Sequence, residues 1–246
     1  MKFLKTLFLV ILFAALTALG AYIKIPIQPV PVTLQVFFAL LSGALLGAEL
    51  GALSQVLYLL AGLLGLPVFA FGGGLTYVLQ PTFGYLIGYV LAAYVVGRML
   101  EVKATTSTLR GLFSLTMIIL IISISFVTIG LLGEGRGPLI MVRALFFIFI
   151  VWALYLLGVD ALRRLSEYTS MIEGVWIGFS MLIGLLVVYL FGVSYLFFNA
   201  NLILMKPYSA AQALFSGMGR LLPWDLIKLV VAAYLAKEFR LWFKQT

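Results

Sequence analysis

The sequence predicts an all-α protein, a polytopic membrane helix bundle of about eight spans, and three observations predict it. Of the 246 residues, 64% are hydrophobic and 10% charged, with a mean hydropathy of +1.21, whereas a soluble domain carries roughly 25% charged residues. Residues 50–97 contain no Asp, Glu, Lys, Arg or His, and neither do residues 174–205. A spanning helix needs about 20 predominantly apolar residues, so the first stretch alone supplies two crossings. Finally, the apolar residues run continuously and do not alternate with polar ones. Backbone inside a bilayer must satisfy its own hydrogen bonds, as a helix or a closed barrel, and continuous apolar runs select the helix.

Reading these runs between charged or Pro/Gly breaks places helices near 4–23, 33–48, 50–66, 83–99, 112–132, 139–158, 174–198 and 223–240. Eight crossings put both termini on one side. With the N-terminus inside, Lys2, Lys5, Arg98, Lys103, Arg110, Arg163, Arg164, Lys237, Arg240 and Lys244 are cytoplasmic. Outside lie Lys24, Arg136, Arg143, Lys206 and Arg220, while Lys228 falls within a helix. Lys and Arg concentrate in cytoplasmic loops, so the expected topology is N-in and C-in. The same reading accounts for the net charge of +8. These basic residues are scattered between apolar runs and form no stripe for nucleic acid.

Three loops then share the outer face. The first, Ile25-Pro26-Ile27-Gln28-Pro29-Val30-Pro31-Val32, has three prolines that favour extended chain. The second, 67–82, holds Gly72-Gly73-Gly74 and Gln80-Pro81-Thr82. The third, 199–222, is expected to open a short helix at Ser209 that Gly217 and Gly219 close. The first two are apolar enough to fold back on the bundle as a lid or pocket floor, or they are plain connections.

An ionisable residue inside a membrane helix is a functional candidate by default. In Pro223-Trp224-Asp225-Leu226-Ile227-Lys228, Pro223 suits a first helical turn, which puts Asp225 and Lys228 on one face near the outer end of the last helix. Such a pair offers an acceptor and a cation to a ligand with N–H donors and a carboxylate. Equally, the two neutralise each other, or Lys228 snorkels to the interface. Glu49, in Gly47-Ala48-Glu49-Leu50-Gly51, is expected in a tight cytoplasmic turn. Gln35, Gln55 and Gln80 are polar groups in apolar surroundings, each needing a partner from a neighbouring helix or a ligand. Small residues recur four apart at Ala14/Ala18, Gly43/Gly47, Gly47/Gly51, Gly84/Gly88 and Gly174/Gly178. They bring helices close, and the Ala14/Ala18 pair is the candidate for docking another subunit.

Enzymatic chemistry finds no footing. Zero Cys and zero His exclude thiolate and imidazole sites. No phosphate loop, His-Glu-x-x-His or Gly-x-Ser-x-Gly occurs, and there is no carboxylate pair. Neither a metal nor a cofactor is expected.

Several motifs in order resemble one family. They are Phe13-Ala14-Ala15-Leu16-Thr17-Ala18-Leu19-Gly20-Ala21, Ile25-Pro26, and Pro29-Val30-Pro31-Val32-Thr33-Leu34-Gln35. They continue with Leu63-Leu64-Gly65-Leu66-Pro67-Val68-Phe69-Ala70, Gly72–Gly74, Pro81-Thr82-Phe83-Gly84-Tyr85-Leu86-Ile87-Gly88-Tyr89 and Pro223–Lys228. About 175 residues are covered, and the chain resembles the BioY family, the biotin-specific S components of energy-coupling-factor transporters. The resemblance implies a six-helix core that captures biotin at the outer face, beneath the first and third loops. It implies delivery inward with an energy-coupling transmembrane subunit and two ATPase subunits at the cell membrane. It makes Asp225 and Lys228 the lead binding residues, with Gln35, Tyr85, Thr33 and Gln80 beside them, and makes Ala14/Ala18 the face toward the coupling subunit.

Lys2 and Lys5 ahead of an apolar run that ends in Ala18-Leu19-Gly20-Ala21 also fit a signal peptide. Because the resemblance includes this segment, it is read as a retained helix. The family pattern departs in two places: Phe83 stands where a small Gly is expected, and residues 101–171 add about two helices. The whole chain, 1–246, thus reads as one membrane domain, with 1–100 and 172–246 as the core and 101–171 inserted. An S component for another vitamin or small cofactor, or a non-transporting membrane scaffold, are the rival readings.

Overall fold

The computed structural model describes residues 2–101, 169–205 and 207–245. The spans expected at 112–132 and 139–158 lie outside the described residues. The contacts below fall within one unit, residues 1–102 with 174–246; a second unit, 103–173, lies largely outside the described residues.

The chain opens with helix α1 (Lys2–Tyr22). Two short antiparallel strands follow, β1 (Lys24–Ile25) and β2 (Val32–Thr33), with Lys24 opposite Thr33 and Ile25 opposite Val32. The prolines between them hold the chain extended, with a cis bond at Gln28–Pro29. Helices α2 (Gln35–Leu46) and α3 (Ala48–Leu63) come next, then a 3-10 turn (Leu75–Leu79) and helix α4 (Phe83–Glu101). After the undescribed stretch come α5 (Thr169–Phe198), a π-helical turn (Asn199–Ile203), α6 (Ala210–Leu214), a second π-helical turn (Phe215–Gly219) and α7 (Leu222–Gln245).

Among the described residues, three helices are long and apolar enough to cross a membrane: Phe3–Tyr22, Phe83–Glu101 and Glu173–Ile203. Helices α2 and α3 are shorter than the runs at 33–48 and 50–66 suggested. With 12 residues, α2 extends only about 18 Å at about 1.5 Å per residue, against a hydrocarbon core of about 30 Å. The apolar run overestimates it because hydropathy cannot see that Val32 and Thr33 are taken into the β-ribbon. At the other end Gly47, at φ 85°, breaks the helix and turns the chain into α3. Glu49 is exposed in the first turn of α3, so the tight turn expected there is present.

The core forms where α4 packs on α2 and α3, α1 covers α2 and α3, and α7 lies on α2. Close approach depends on Gly43: a Cβ there would stand 2.3 Å from the carbonyl oxygen of Ala93 on α4. Ala39, Ala44, Ala92 and Ala93 are all fully buried at this crossing. Small residues of this kind are what membrane helix interfaces use, since lipid removes the hydrophobic gain from bringing helices together. Gln55 sits fully buried beside them, its Nε2 3.2 Å from Thr17 Oγ1, 3.3 Å from Ser42 Oγ and 3.1 Å from Ser54 Oγ. It thus ties α1, α2 and α3 together, the helix-to-helix role that its position in an apolar run left open.

Candidate functional site

The β1–β2 ribbon and the 67–82 loop meet over the ends of α2, α3 and α4. Tyr22 donates its hydroxyl hydrogen to the Pro67 carbonyl, and Lys24 donates to the carbonyl of Ala70. A cation on a carbonyl makes a charge-assisted bond, so the ribbon and the 67–82 loop are fastened to one another. Beneath them lies a small cavity of about 20 Å³. Its wall combines Thr33 and Gln35 with three tyrosines, Tyr77, Tyr85 and Tyr89, and the apolar Val30, Pro31 and Leu86.

Most of the polar groups on this wall are held. Thr33 Oγ1 donates to Gln35 Oε1 at 2.9 Å, and Gln35 Nε2 donates to the Tyr58 hydroxyl. Tyr58 in turn donates to the carbonyl of Val68 at 3.2 Å. Tyr85 donates to the Gly217 carbonyl at 2.7 Å, which anchors α4 to the 199–222 segment. The Tyr77 hydroxyl and Thr82 Oγ1 are 3.0 Å apart. Burial pushes the Tyr77 phenol above its ordinary value, with the Thr82 hydrogen bond opposing part of the shift, so Tyr77 faces the cavity as a neutral phenol.

One layer away stands the ionic pair. Leu222 opens α7 with Pro223 in its first turn, as the sequence requires, and Asp225 and Lys228 follow one helical turn apart. Their carboxylate and ammonium are paired, with side chains only 8% and 12% exposed. Asp225 Oδ2 also accepts from the Tyr189 hydroxyl of α5 at 2.6 Å. Lys228 donates to the backbone carbonyl of Thr33 at 2.6 Å. The pair therefore reaches the cavity through Thr33, whose backbone it grips while the Thr33 side chain lines the wall. Lys228 also lines a groove of about 240 Å³ with Lys24, Thr33 and Trp224. The arrangement offers aromatic faces, neutral donors and acceptors, and one buried carboxylate–ammonium pair, which suits a compact polar ring with an anionic tail.

Of the residues singled out in the sequence, Thr33, Gln35 and Tyr85 meet at the cavity, and Asp225 and Lys228 stand behind Thr33. The cavity wall excludes Gln80, which is exposed and enters through its backbone, accepting from Phe83 N and donating to Tyr77 O. Ala14 is buried on the inward face of α1 and Ala18 is half-buried, so this pair serves contacts within the chain at least in part. Sequence reading missed Tyr77, Tyr89, Tyr58 and Tyr189. Their signal was present: a hydroxyl inside an apolar run needs a partner as much as a glutamine does.

A family model described as the BioY family matches residues 1–163 and 147–245, ranges that together take in residues 101–171. A protein of Lysinibacillus sphaericus named "Probable biotin transporter BioY" is 59% identical over 96 residues, 39% of this chain and 49% of that one. One of the same name from Pyrococcus horikoshii is 51% identical over 94 residues, 38% of this chain and 58% of that one. The matches to these relatives thus take in about half of their length. The "Biotin transporter BioY" of Rhizobium etli is 27% identical over 237 residues, covering 95% of this chain and 91% of that protein. Among solved structures, the S-component for biotin from an ECF-type ABC transporter superposes with a TM-score of 0.59 at 20% identity, covering 97% of this chain and 92% of that one. That likeness shows a shared helical fold, and the apolar helices Phe3–Tyr22, Phe83–Glu101 and Glu173–Ile203 are those of an integral membrane protein. With a family model spanning nearly its whole length, the chain belongs to the BioY family.

Proposed function

We propose that this protein is the biotin-capturing membrane subunit of an energy-coupled uptake system and carries out no covalent chemistry. The observation that carries the reading is the small, tyrosine-walled cavity under the ribbon and the 67–82 loop, with the Asp225–Lys228 pair joined to it through Thr33. Biotin's ureido ring presents N–H donors that a carboxylate accepts, and its valerate carboxylate needs a cation. Contacts of that kind are the stronger, charge-assisted class, and the apolar remainder of the ligand matches the aromatic and aliphatic lining. The names of the relatives support the same substrate.

Pockets for small ligands have volumes of about 300–1,000 Å³, so a cavity of about 20 Å³ admits biotin only when the loops part and the Asp225–Lys228 pair re-forms its contacts on the ligand. The protein is expected at the cell membrane with both termini cytoplasmic. It hands biotin inward with an energy-coupling transmembrane subunit and two ATPases, since no phosphate loop occurs in its own sequence. The docking face for that subunit would be the exposed side of α1 beside the Ala14/Ala18 pair, with the half-buried Ala18 at its edge.

Equilibrium binding of biotin to the detergent-purified chain tests the reading, with Lys228→Met alongside. Tight binding that the variant loses supports it. A well-folded wild type that ignores biotin moves the substrate to another vitamin or small cofactor.

A further inference from the structure

Helix α5 ends beside the loop that closes the cavity, and two of its last polar side chains reach that loop's backbone. Tyr195 donates its hydroxyl hydrogen to the carbonyl of Val78. Asn199, the first residue of the π-helical turn, donates from Nδ2 to the carbonyl of Leu79 at 2.8 Å. Val78 and Leu79 close the 3-10 turn that carries Tyr77 onto the cavity wall. The last carbonyls of a helical turn have no partner of their own, so α5 supplies what the turn lacks. The Tyr195 ring also stands against Phe83, the first residue of α4, with centroids 5.7 Å apart.

Asn199 is 1% exposed and its Oδ1 has no partner among the described residues. A buried acceptor left unpaired is costly. The closed arrangement therefore gains two hydrogen bonds but carries one standing penalty, which an opening that admits water would relieve. Two bonds set against one penalty hold a loop shut without locking it.

From this we infer that Tyr195 and Asn199 are positioning residues that latch the 67–82 loop over the cavity and set how fast it opens. Neither side chain lines the cavity, so both act through Tyr77 and its turn. Their role in substrate capture rests on the biotin reading above; the latch itself does not.

The test starts with the ligand-free protein. Amide hydrogen exchange is followed at Tyr77 and Gln80, whose N–H groups bond to Gly74 and Tyr77 carbonyls, in wild type, Tyr195→Phe, Asn199→Ala and the double variant. The double variant should lose about tenfold in protection at these amides while the α2–α3 core keeps its own, because local openings are independent of global unfolding. Unchanged protection overturns the latch. Should the double variant not fold, Tyr195→Phe decides by the same readout, since it keeps the ring against Phe83 and removes only the hydroxyl.

Biotin kinetics add a readout that a merely structural residue would not move. Association and dissociation should both speed up by about fivefold or more with a smaller change in affinity, as for a gate rather than a contact. Slower association, or faster dissociation alone, overturns the gating role. A wild type that binds no biotin removes the substrate reading, and the exchange experiment still decides the latch.

Discussion

Tyr189 on α5 donates its hydroxyl hydrogen to Asp225 Oδ2 at 2.6 Å, leaving Oδ1 for Lys228. Both carboxylate oxygens are thus occupied, one by a neutral donor from another helix and one by the cation a turn further along α7. Hydrogen bonds to charged groups contribute about 1.5–3 kcal/mol each. Tyr189→Phe keeps the ring and removes the donor, so biotin affinity should fall about tenfold or more, with the protein still monodisperse on size exclusion. A variant that binds like wild type would mean that Asp225 needs no orienting partner.

The ion pair itself invites a double substitution. Removing one partner of a buried pair costs about 3–5 kcal/mol, whereas replacing both is often close to neutral. Asp225→Asn and Lys228→Met should each lower thermal stability in detergent, and the double variant should recover most of that loss. Biotin binding should be absent in all three. If the double variant still captures biotin, the pair is structural and the site lies elsewhere on the cavity wall.

A third expectation concerns packing alone. Any side chain at Gly43 meets the Ala93 carbonyl oxygen at 2.3 Å, while a Cβ at Gly178 meets nothing within 4 Å among the described residues. Overfilling a tight contact costs about 1–3 kcal/mol. Gly43→Ala should therefore lower the unfolding midpoint by several degrees, while Gly178→Ala should leave it unchanged. Equal midpoints would show that α2 and α4 can separate without loss.

How much of this was legible in the sequence depends on how local each cause is. Ser209 capping a short helix with Gln212, extended chain through the prolines of 25–32, and Pro223 opening α7 all follow from backbone chemistry a few residues wide. Each can be read without a neighbour. The facing of Asp225 toward Lys228 is likewise a matter of helical spacing. By contrast, Tyr189 finds Asp225 across 36 residues, Tyr85 finds Gly217 across 132, and Lys228 finds Thr33 across 195. No window on the sequence reports such pairings. Hydropathy also has no means of distinguishing a tyrosine facing lipid headgroups from one closing a cavity. The same blindness made Gln80 a candidate: a polar residue between apolar loops reads alike whether it points inward or, as here, outward. Lengths failed for a related reason, since a hydropathy run through 33–48 continues past the ribbon and the Gly47 turn that end α2.

The last prediction follows from the size of the cavity. A site of about 20 Å³ is too small for biotin, so the loops at 24–33 and 67–82 must part before biotin enters and then close on a larger content. Closure around a ligand replaces transient openings with contacts, and a ligand that binds only the closed form suppresses opening in proportion to its occupancy. Amides of the 67–82 loop should therefore exchange more slowly with saturating biotin than without it, by at least about tenfold. The α3 amides around Gln55, already held by Thr17, Ser42 and Ser54, should not change. Equal protection of the loop in both states would sink the lid. Biotin would then enter by another route, with the groove beside Lys24, Trp224 and Lys228 as the next place to look.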